Sequence, residues 1–226
     1  MPEPGASYTP ASRRPIADVF RRLARWSTDL CVRTGIHPNA ISLSSIAVAA
    51  AAGACFLAAA RQPTLLIAGA ALCYLRLYLN MLDGMVALAS GKASRWGEIL
   101  NDLPDRLADL LIFVGVAHSG LCDPFLGYWV AIAALLVAYT GTFGQAVGVQ
   151  REFSGVMAKP WRMVALHLGS WIALADLWWG DGDLRAGFGL TWIDWTHVVI
   201  LVGCVQSIWI RLVRILRALR SGGVGR

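Results

Sequence analysis

Six oxygen-bearing side chains, Asn80, Asp83, Asn101, Asp102, Asp105 and Asp109, fall within one stretch of mostly apolar sequence, YLRLYLNMLDGMVALASGKASRWGEILNDLPDRLAD. On a helix, Asn80 and Asp83 are i, i+3 neighbours sharing a face with Ala87, and Asn101 and Asp105 are i, i+4 neighbours sharing one with Gly97 and Asp109. Two antiparallel helices joined by the short loop between these halves would therefore aim Asn80, Asp83, Asn101 and Asp105 at one spot. Hard oxygen ligands of this kind suit Mg²⁺, Mn²⁺ or Ca²⁺. Gly84 and Gly97 carry no side chain beside those oxygens, so a ligand or a neighbouring helix can approach the backbone closely, and a phosphate-bearing substrate would benefit. The alternative reading makes them packing glycines and helix-end polar groups solvated by the cytoplasm. Each residue taken singly favours that alternative, whereas their joint spacing inside apolar sequence favours a site.

The elements that position these groups belong to a membrane. Of the 226 residues, 57% are hydrophobic and only 15% charged, and the mean hydropathy of +0.56 is too high for a soluble domain of this length. Spanning a bilayer takes about 20 apolar residues, and six such windows lie near 40–60, 64–90, 96–119, 124–149, 161–179 and 194–212. Most of the 20 Lys and Arg residues border one side of these windows, from Arg13 to Arg33, at Lys92 and Arg95, at Arg151, Lys159 and Arg162, and from Arg211 onward. Arg61 and Arg185 fall on the other side, and Arg76 and Arg106 fall inside windows. The asymmetry predicts an even number of crossings with both termini cytoplasmic. Trp129, Trp161, Trp178, Trp179, Trp192 and Trp195 near window ends suit interfacial anchoring.

Outside the windows, residues 1–15 read as a disordered terminus and not a secretory signal. Residues 16–34 read as an amphipathic helix on the cytoplasmic surface, with Ile16, Val19, Phe20, Leu23, Trp26 and Leu30 on one stripe. A turn from Gly35 to Asn39 feeds the first window, with Pro38 at the helix start and Asn39 as its cap. The run AVAAAAGA within the first window permits close helix contact. Residues 35–220 form one six-helix domain, and 221–226 a tail. The arginines of RLVRILRALR read as snorkelling at the interface. Anionic lipid headgroups, not nucleic acid, match the net charge of +6. The five cysteines show no metal or disulfide spacing, and His37, His118, His167 and His197 form no ligand set.

The acidic stretch resembles the CDP-alcohol phosphotransferase family, whose members carry D-x2-D-G-x2-A-R-x8-G-x3-D-x3-D across their second and third membrane helices. Here Asn80, Asp83, Gly84, Ala87, Leu88, Gly97, Asn101 and Asp105 keep every spacing, with five of the eight named positions matching. Pro38, Asn39 and Ser42 look like the family's Pro-Asn-x-x-Thr element. The resemblance implies an all-α membrane protein of six transmembrane helices with an N-terminal juxtamembrane helix. It also implies a phospholipid-synthesis reaction in which an acceptor hydroxyl attacks the β-phosphorus of a CDP-linked lipid, commonly CDP-diacylglycerol, releasing CMP. In that scheme Asn80, Asp83, Asn101 and Asp105 hold Mg²⁺ or Mn²⁺, and Asp105 takes the hydroxyl proton. Pro38, Asn39, Ser42, Gly84, Ala87, Ser94 and Gly97 would line the CDP site.

Three positions depart from the pattern. Asn80 and Asn101 replace aspartates, each keeping an oxygen but removing a charge, which predicts weaker metal binding or a single held ion. Leu88 replaces an arginine that would clamp phosphate, and Lys92, Arg95 or Arg76 are candidate substitutes. Asp102 sits about 100° round the helix from Asn101. The sequence is similar to a bacterial branch of the family with Asn at both positions. Arg151, Lys159 and Arg162 lie where family members often bind the acceptor's head, and three cations suit a polar or phosphorylated alcohol. A second copy of the chain is a further candidate partner. The competing functions are a catalytically silent nucleotide- or lipid-binding scaffold and a small transporter. The paired interrupted spans of inverted repeats are missing for the latter.

Overall fold

The computed structural model describes residues 15–92, 95–180 and 184–221. These form seven helices: α1 (Pro15–Arg33), α2 (Pro38–Leu57), α3 (Leu65–Ala89), α4 (Arg95–Ala117), α5 (Pro124–Ala146), α6 (Lys159–Trp179) and α7 (Trp192–Arg220). The described residues hold no strand beyond an isolated bridge between Arg185 and Thr191, so the fold is all-helical, as expected. Residues 1–14, Ser94 and 222–226 lie outside the described residues, and with them the expected disordered terminus, most of the tail and one expected nucleotide contact.

Each of the six apolar windows is a helix, but among the described residues only α2, α3, α5 and α7 are long and apolar enough to cross a membrane. The expected count of six therefore does not follow from apolarity alone. In α4 the reason is visible: Asp102, Asp105, Arg106 and Asp109 interrupt its sequence, and they are tied by ion pairs to α3, to α6 and to the chain before α6. The chain is a multi-pass membrane protein in which a strongly charged helix is held among apolar ones.

Helix ends follow their local chemistry. Pro38 occupies the first turn of α2, and the extended residue before it, His37, is the cap, its Nδ1 accepting the Asn39 N–H at 3.3 Å. The cap thus falls at His37 and not at Asn39, because the residue preceding a proline is steered away from helical angles. Asp123 caps α5 through the N–H groups of Phe125 and Leu126, and Thr191 with Asp194 forms a reciprocal capping box on α7. Helix α7 continues to Arg220, so the terminal arginines extend the last helix instead of following it.

Packing of α2 explains how the acidic helices come together. A Cβ on Gly53 would run into the carbonyl oxygen of Leu111, and one on Gly115 into the backbone of Gly53. Helices α2 and α4 therefore touch backbone to backbone, as the small-residue run predicts. Helix α2 also packs along α3, and these two pairings exceed the direct contact of α3 with α4. Phe56, Ile112, Phe113, Val130, Met163 and Ile200 belong to one buried cluster spanning α2, α4, α5, α6 and α7. Helix α1 lies against α3, its Ser27 hydroxyl accepting from Tyr78 at 2.6 Å. Ala24, Thr28 and Cys31 are buried and Leu23, Trp26 and Leu30 exposed; the side chains of Ile16, Val19 and Phe20 lie outside those described.

Candidate functional site

Asp83, near the end of α3, is buried, and its Oδ2 accepts the Ser42 hydroxyl of α2 at 2.5 Å while its Oδ1 accepts the Gly84 N–H at 2.6 Å. The Pro38–Ser42 turn is thereby fastened to the acidic motif. Asp105 is buried on α4. Lys159, the first residue of α6, donates to its Oδ2, and Arg76 Nη2 lies 3.2 Å from its Oδ1. Asn80 joins them: its Oδ1 stands 3.3 Å from Lys159 Nζ, and with the amide turned over its nitrogen donates to the Asp105 carboxylate. Hydrogen bonding to Asp105 favours the turned orientation, whereas the other offers an oxygen to a cation. Asn80, Asp105 and Lys159 thus meet, with Asp83 within electrostatic reach of Lys159.

Behind this front lies a buried set of charges. Arg76 is fully buried; its Nη2 donates to the Asp105 carbonyl at 2.7 Å and lies 3.1 Å from Asp109 Oδ1. That last approach is a charge contact without hydrogen-bond alignment, since Asp109 Oδ1 has no hydrogen-bond partner among the described residues. Arg162 donates to Asp109 Oδ2 at 2.6 Å and to the Met157 carbonyl at 3.0 Å. Asp102 faces Arg151 at 2.8 Å and Arg106 at 3.1 Å. Asp105 and Asp109 therefore each take cations from α3 and α6, and Asp102 from α4 itself and from the chain before α6.

The structure brings together Asn80, Asp83, Ser42, Asp105 and Lys159. Asn101 lies on α4 one turn before Asp105, its side chain outside those described. Gly84 needs no glycine for packing: a Cβ there would meet nothing within 4 Å, so its open surface is available to a ligand. Ala87 is half-buried, and Leu88 at the motif's arginine position is 75% exposed. Arg76 is no substitute clamp, being spent on Asp105 and Asp109. Lys92 is exposed, and the side chain of Arg95 lies outside those described. Arg151 and Lys159 are half-buried and line a cavity of about 1050 Å³, whereas Arg162 is 2% exposed and holds Asp109.

Sequence reasoning missed Arg211. It is buried in α7, and its guanidinium donates to the carbonyls of Val137 at 2.5 Å, Ser154 at 2.9 Å and Phe153 at 3.3 Å. It fastens the α5–α6 segment carrying Arg151, which snorkelling would not do. In that segment burial works to raise the Glu152 carboxyl, but the Ser154 and Phe153 N–H groups and Arg214 prevail and hold it below its ordinary range. Pro104 inside α4 was also unremarked; it removes the helical hydrogen bond to the carbonyl of residue 100, one turn from Asp105.

Among the described residues no three His, Cys, Asp or Glu side chains gather as a metal cluster. Two carboxylates and an amide oxygen nevertheless fit a hard cation whose remaining ligands are phosphate oxygens and water, the way Mg²⁺ is commonly held. The open backbone at Gly84 leaves room for such a phosphate.

No family model matches the chain, but individual relatives do. It is 29% identical over 208 residues to phosphatidylinositol phosphate synthase of Mycolicibacterium smegmatis, covering 89% of this chain and 86% of that one. It is 23% identical over 194 residues to inner membrane protein YnbA of Escherichia coli, covering 86% and 90%. Archaetidylinositol phosphate synthase of Methanothermobacter thermautotrophicus is 27% identical over 152 residues, covering 67% and 75%. The fold is that of phosphatidylinositol phosphate synthase of Mycobacterium tuberculosis. A crystal structure of that enzyme with CDP-DAG bound matches with a TM-score of 0.65 at 18% identity over 88% of this chain and 94% of that one. Its complex with manganese and citrate matches with 0.64 at 19% identity over 87% and 88%. The chain is thus similar in sequence to phosphatidylinositol phosphate and archaetidylinositol phosphate synthases and shares the fold of the former.

Proposed function

We propose that the protein is a membrane phosphatidyltransferase of phospholipid synthesis, moving a phosphatidyl group from CDP-diacylglycerol or a similar CDP-linked lipid to an acceptor hydroxyl. The observation that carries this reading is the cavity of about 1050 Å³ in which Asp105, Lys159 and Arg151 adjoin Leu23, Tyr74, Leu75, Met81 and Val164. A donor with a charged head and acyl chains suits a space that is ionic on one part of its wall and apolar on another. Relatives named as phosphatidylinositol phosphate synthases, and a structural neighbour holding CDP-DAG, support the same donor.

In the reaction the acceptor oxygen bonds to the β-phosphorus, the bond from that phosphorus to the bridging oxygen breaks, and CMP leaves with the electron pair. The hydroxyl proton passes to Asp105, whose carboxylate Arg76 and Lys159 orient. Asn80, Asp83, Asn101 and Asp105 are the residues that would hold Mg²⁺ or Mn²⁺. The ion supplies charge neutralisation on the phosphate oxygens. Ser42 fixes Asp83 by its hydrogen bond; Pro38, Asn39, Gly84, Ala87 and Gly97 surround the nucleotide. Arg151 and Lys159 face a polar or phosphorylated acceptor, with Arg162 anchoring the first turn of α6 through Asp109.

The topology that goes with this chemistry has six crossings, α2 to α7, with α1 on the cytoplasmic surface and both termini cytoplasmic, in an inner membrane. The charges of α4 are compatible with a crossing because Arg76, Arg151 and Arg162 pair them within the bundle. The test incubates purified protein with CDP-diacylglycerol, Mg²⁺ or Mn²⁺ and a panel of free and phosphorylated polyols, and measures CMP. Release that depends on acceptor and metal supports the reaction; none with any acceptor returns the chain to a silent scaffold.

A further inference from the structure

Lys159 occupies an unusual place for a residue expected to greet an acceptor. Its ammonium donates to Asp105 Oδ2 and stands beside the Asn80 side-chain amide, between two of the side chains expected to hold metal. Its anchorage is firm. Pro160 follows it in the first turn of α6, the preceding Met157 N–H donates to Ser207 Oγ at 2.9 Å, and Arg162 one turn on is bonded to Asp109. The ammonium is therefore delivered by a fixed helix start and not by a free loop.

The charges around it are already assigned. Asp102 is matched by Arg106 and Arg151, and Asp109 by Arg76 and Arg162. Among the described acids of α3 and α4, Asp83 and Asp105 are the ones that also face the expected metal position, Asp105 sharing Arg76 with Asp109. A pair of divalent ions would bring four positive charges against these two carboxylates and the neutral amides of Asn80 and Asn101, in a buried setting where uncompensated charge is strongly unfavourable. One divalent ion balances the two carboxylates.

We propose that Lys159 is a built-in cation of this site: its ammonium takes the place between the Asn80 and Asp105 side chains that a second divalent ion would need, so the protein binds a single Mg²⁺ or Mn²⁺. The inference rests on the phosphotransfer reading, and it gives the two Asn residues a reason. Replacing Asp by Asn at both positions removes two negative charges, and where a second divalent ion would then add two uncompensated positive charges the ammonium adds one. Lys159 then serves the metal site first and the acceptor through its remaining N–H donors.

The test counts Mn²⁺ bound to the full-length protein in detergent, from the loss of the free-ion electron paramagnetic resonance signal, with no substrate present. Wild type is expected to bind one ion per chain. Lys159→Met removes a positive charge at contact distance from a ligand and is expected to admit a second ion or to raise Mn²⁺ affinity at least about tenfold; Lys159→Arg keeps the charge and stays at one. Two ions in wild type overturn the proposal, as does a folded Lys159→Met protein with unchanged stoichiometry and affinity. Should Lys159→Met fail to fold, the wild-type and Lys159→Arg counts still decide. Binding of no Mn²⁺ by any form overturns this proposal and the metal-dependent reading together, whereas one bound ion without CMP release supports the ion count and overturns the reaction.

Discussion

Replacing Arg76 by Met tests whether the buried charges behind the site hold it together. Arg76 Nη2 serves the Asp105 carbonyl at 2.7 Å, the Asp105 carboxylate at 3.2 Å and the Asp109 carboxylate at 3.1 Å. Removing one partner of a buried pair typically destabilises by about 3–5 kcal/mol. Two effects reduce that figure here. Lys159 still faces Asp105 and Arg162 still faces Asp109. The Nε and Nη1 groups of Arg76, which are buried without hydrogen-bond partners among the described residues, no longer carry a desolvation penalty of about 1 kcal/mol or more each. The net expectation is a loss of about 2 kcal/mol, read by equilibrium unfolding in mixed detergent and SDS micelles. Adding Asp109→Asn removes the carboxylate left short of charge and should recover about 1 kcal/mol of that loss, since the two residues share one network. A single variant as stable as wild type, or a double variant showing the plain sum of two losses, would refute the reasoning.

Gly84→Ala separates ligand from packing: the added methyl meets no protein atom within 4 Å, so the melting temperature should hold while affinity for CDP, by calorimetry, falls about tenfold or more. Gly53→Val should do the opposite, lowering stability by at least about 2 kcal/mol because its side chain strikes the Leu111 carbonyl where α2 meets α4. Ser42→Ala removes the charge-assisted hydrogen bond to Asp83, worth about 1.5–3 kcal/mol, and should weaken Mn²⁺ binding about tenfold or more by titration. Glu152 stands below its ordinary range in the folded chain, so its stabilisation is complete above about pH 4.3 and disappears as pH falls below that. Glu152→Gln should accordingly lose less stability than wild type between about pH 5 and pH 3 in a thermal-shift series.

How much could be read beforehand depended on the range over which each interaction acts. Helices α2 to α7 were legible because apolar runs are local, and the α2–α4 contact because AVAAAAGA announces a surface without side chains. Asn80, Asp83 and Asp105 were legible because i, i+3 and i, i+4 spacing fixes a helical face. Arg76, Arg162 and Arg211 were not. Each finds its partner on a different element, Arg162 more than 50 residues along at Asp109 and Arg211 more than 70 at Val137, and sequence shows only that a buried cation needs some partner. The same long-range pairing lets α4 sit within the bundle although its composition alone fails the test for a spanning helix.

The most direct test of the central claim is CMP release from CDP-diacylglycerol by wild type and by Asp105→Asn, side by side, at saturating Mn²⁺ with the acceptor that supports the fastest rate. Loss of a positioned proton acceptor typically slows such a step by about 10²–10⁴-fold, so acceptor-dependent release in wild type and a fall of at least about a hundredfold in the variant are the predicted result. Equal rates in the two proteins would contradict the assignment of Asp105, and no release from wild type with any acceptor would contradict the reaction itself.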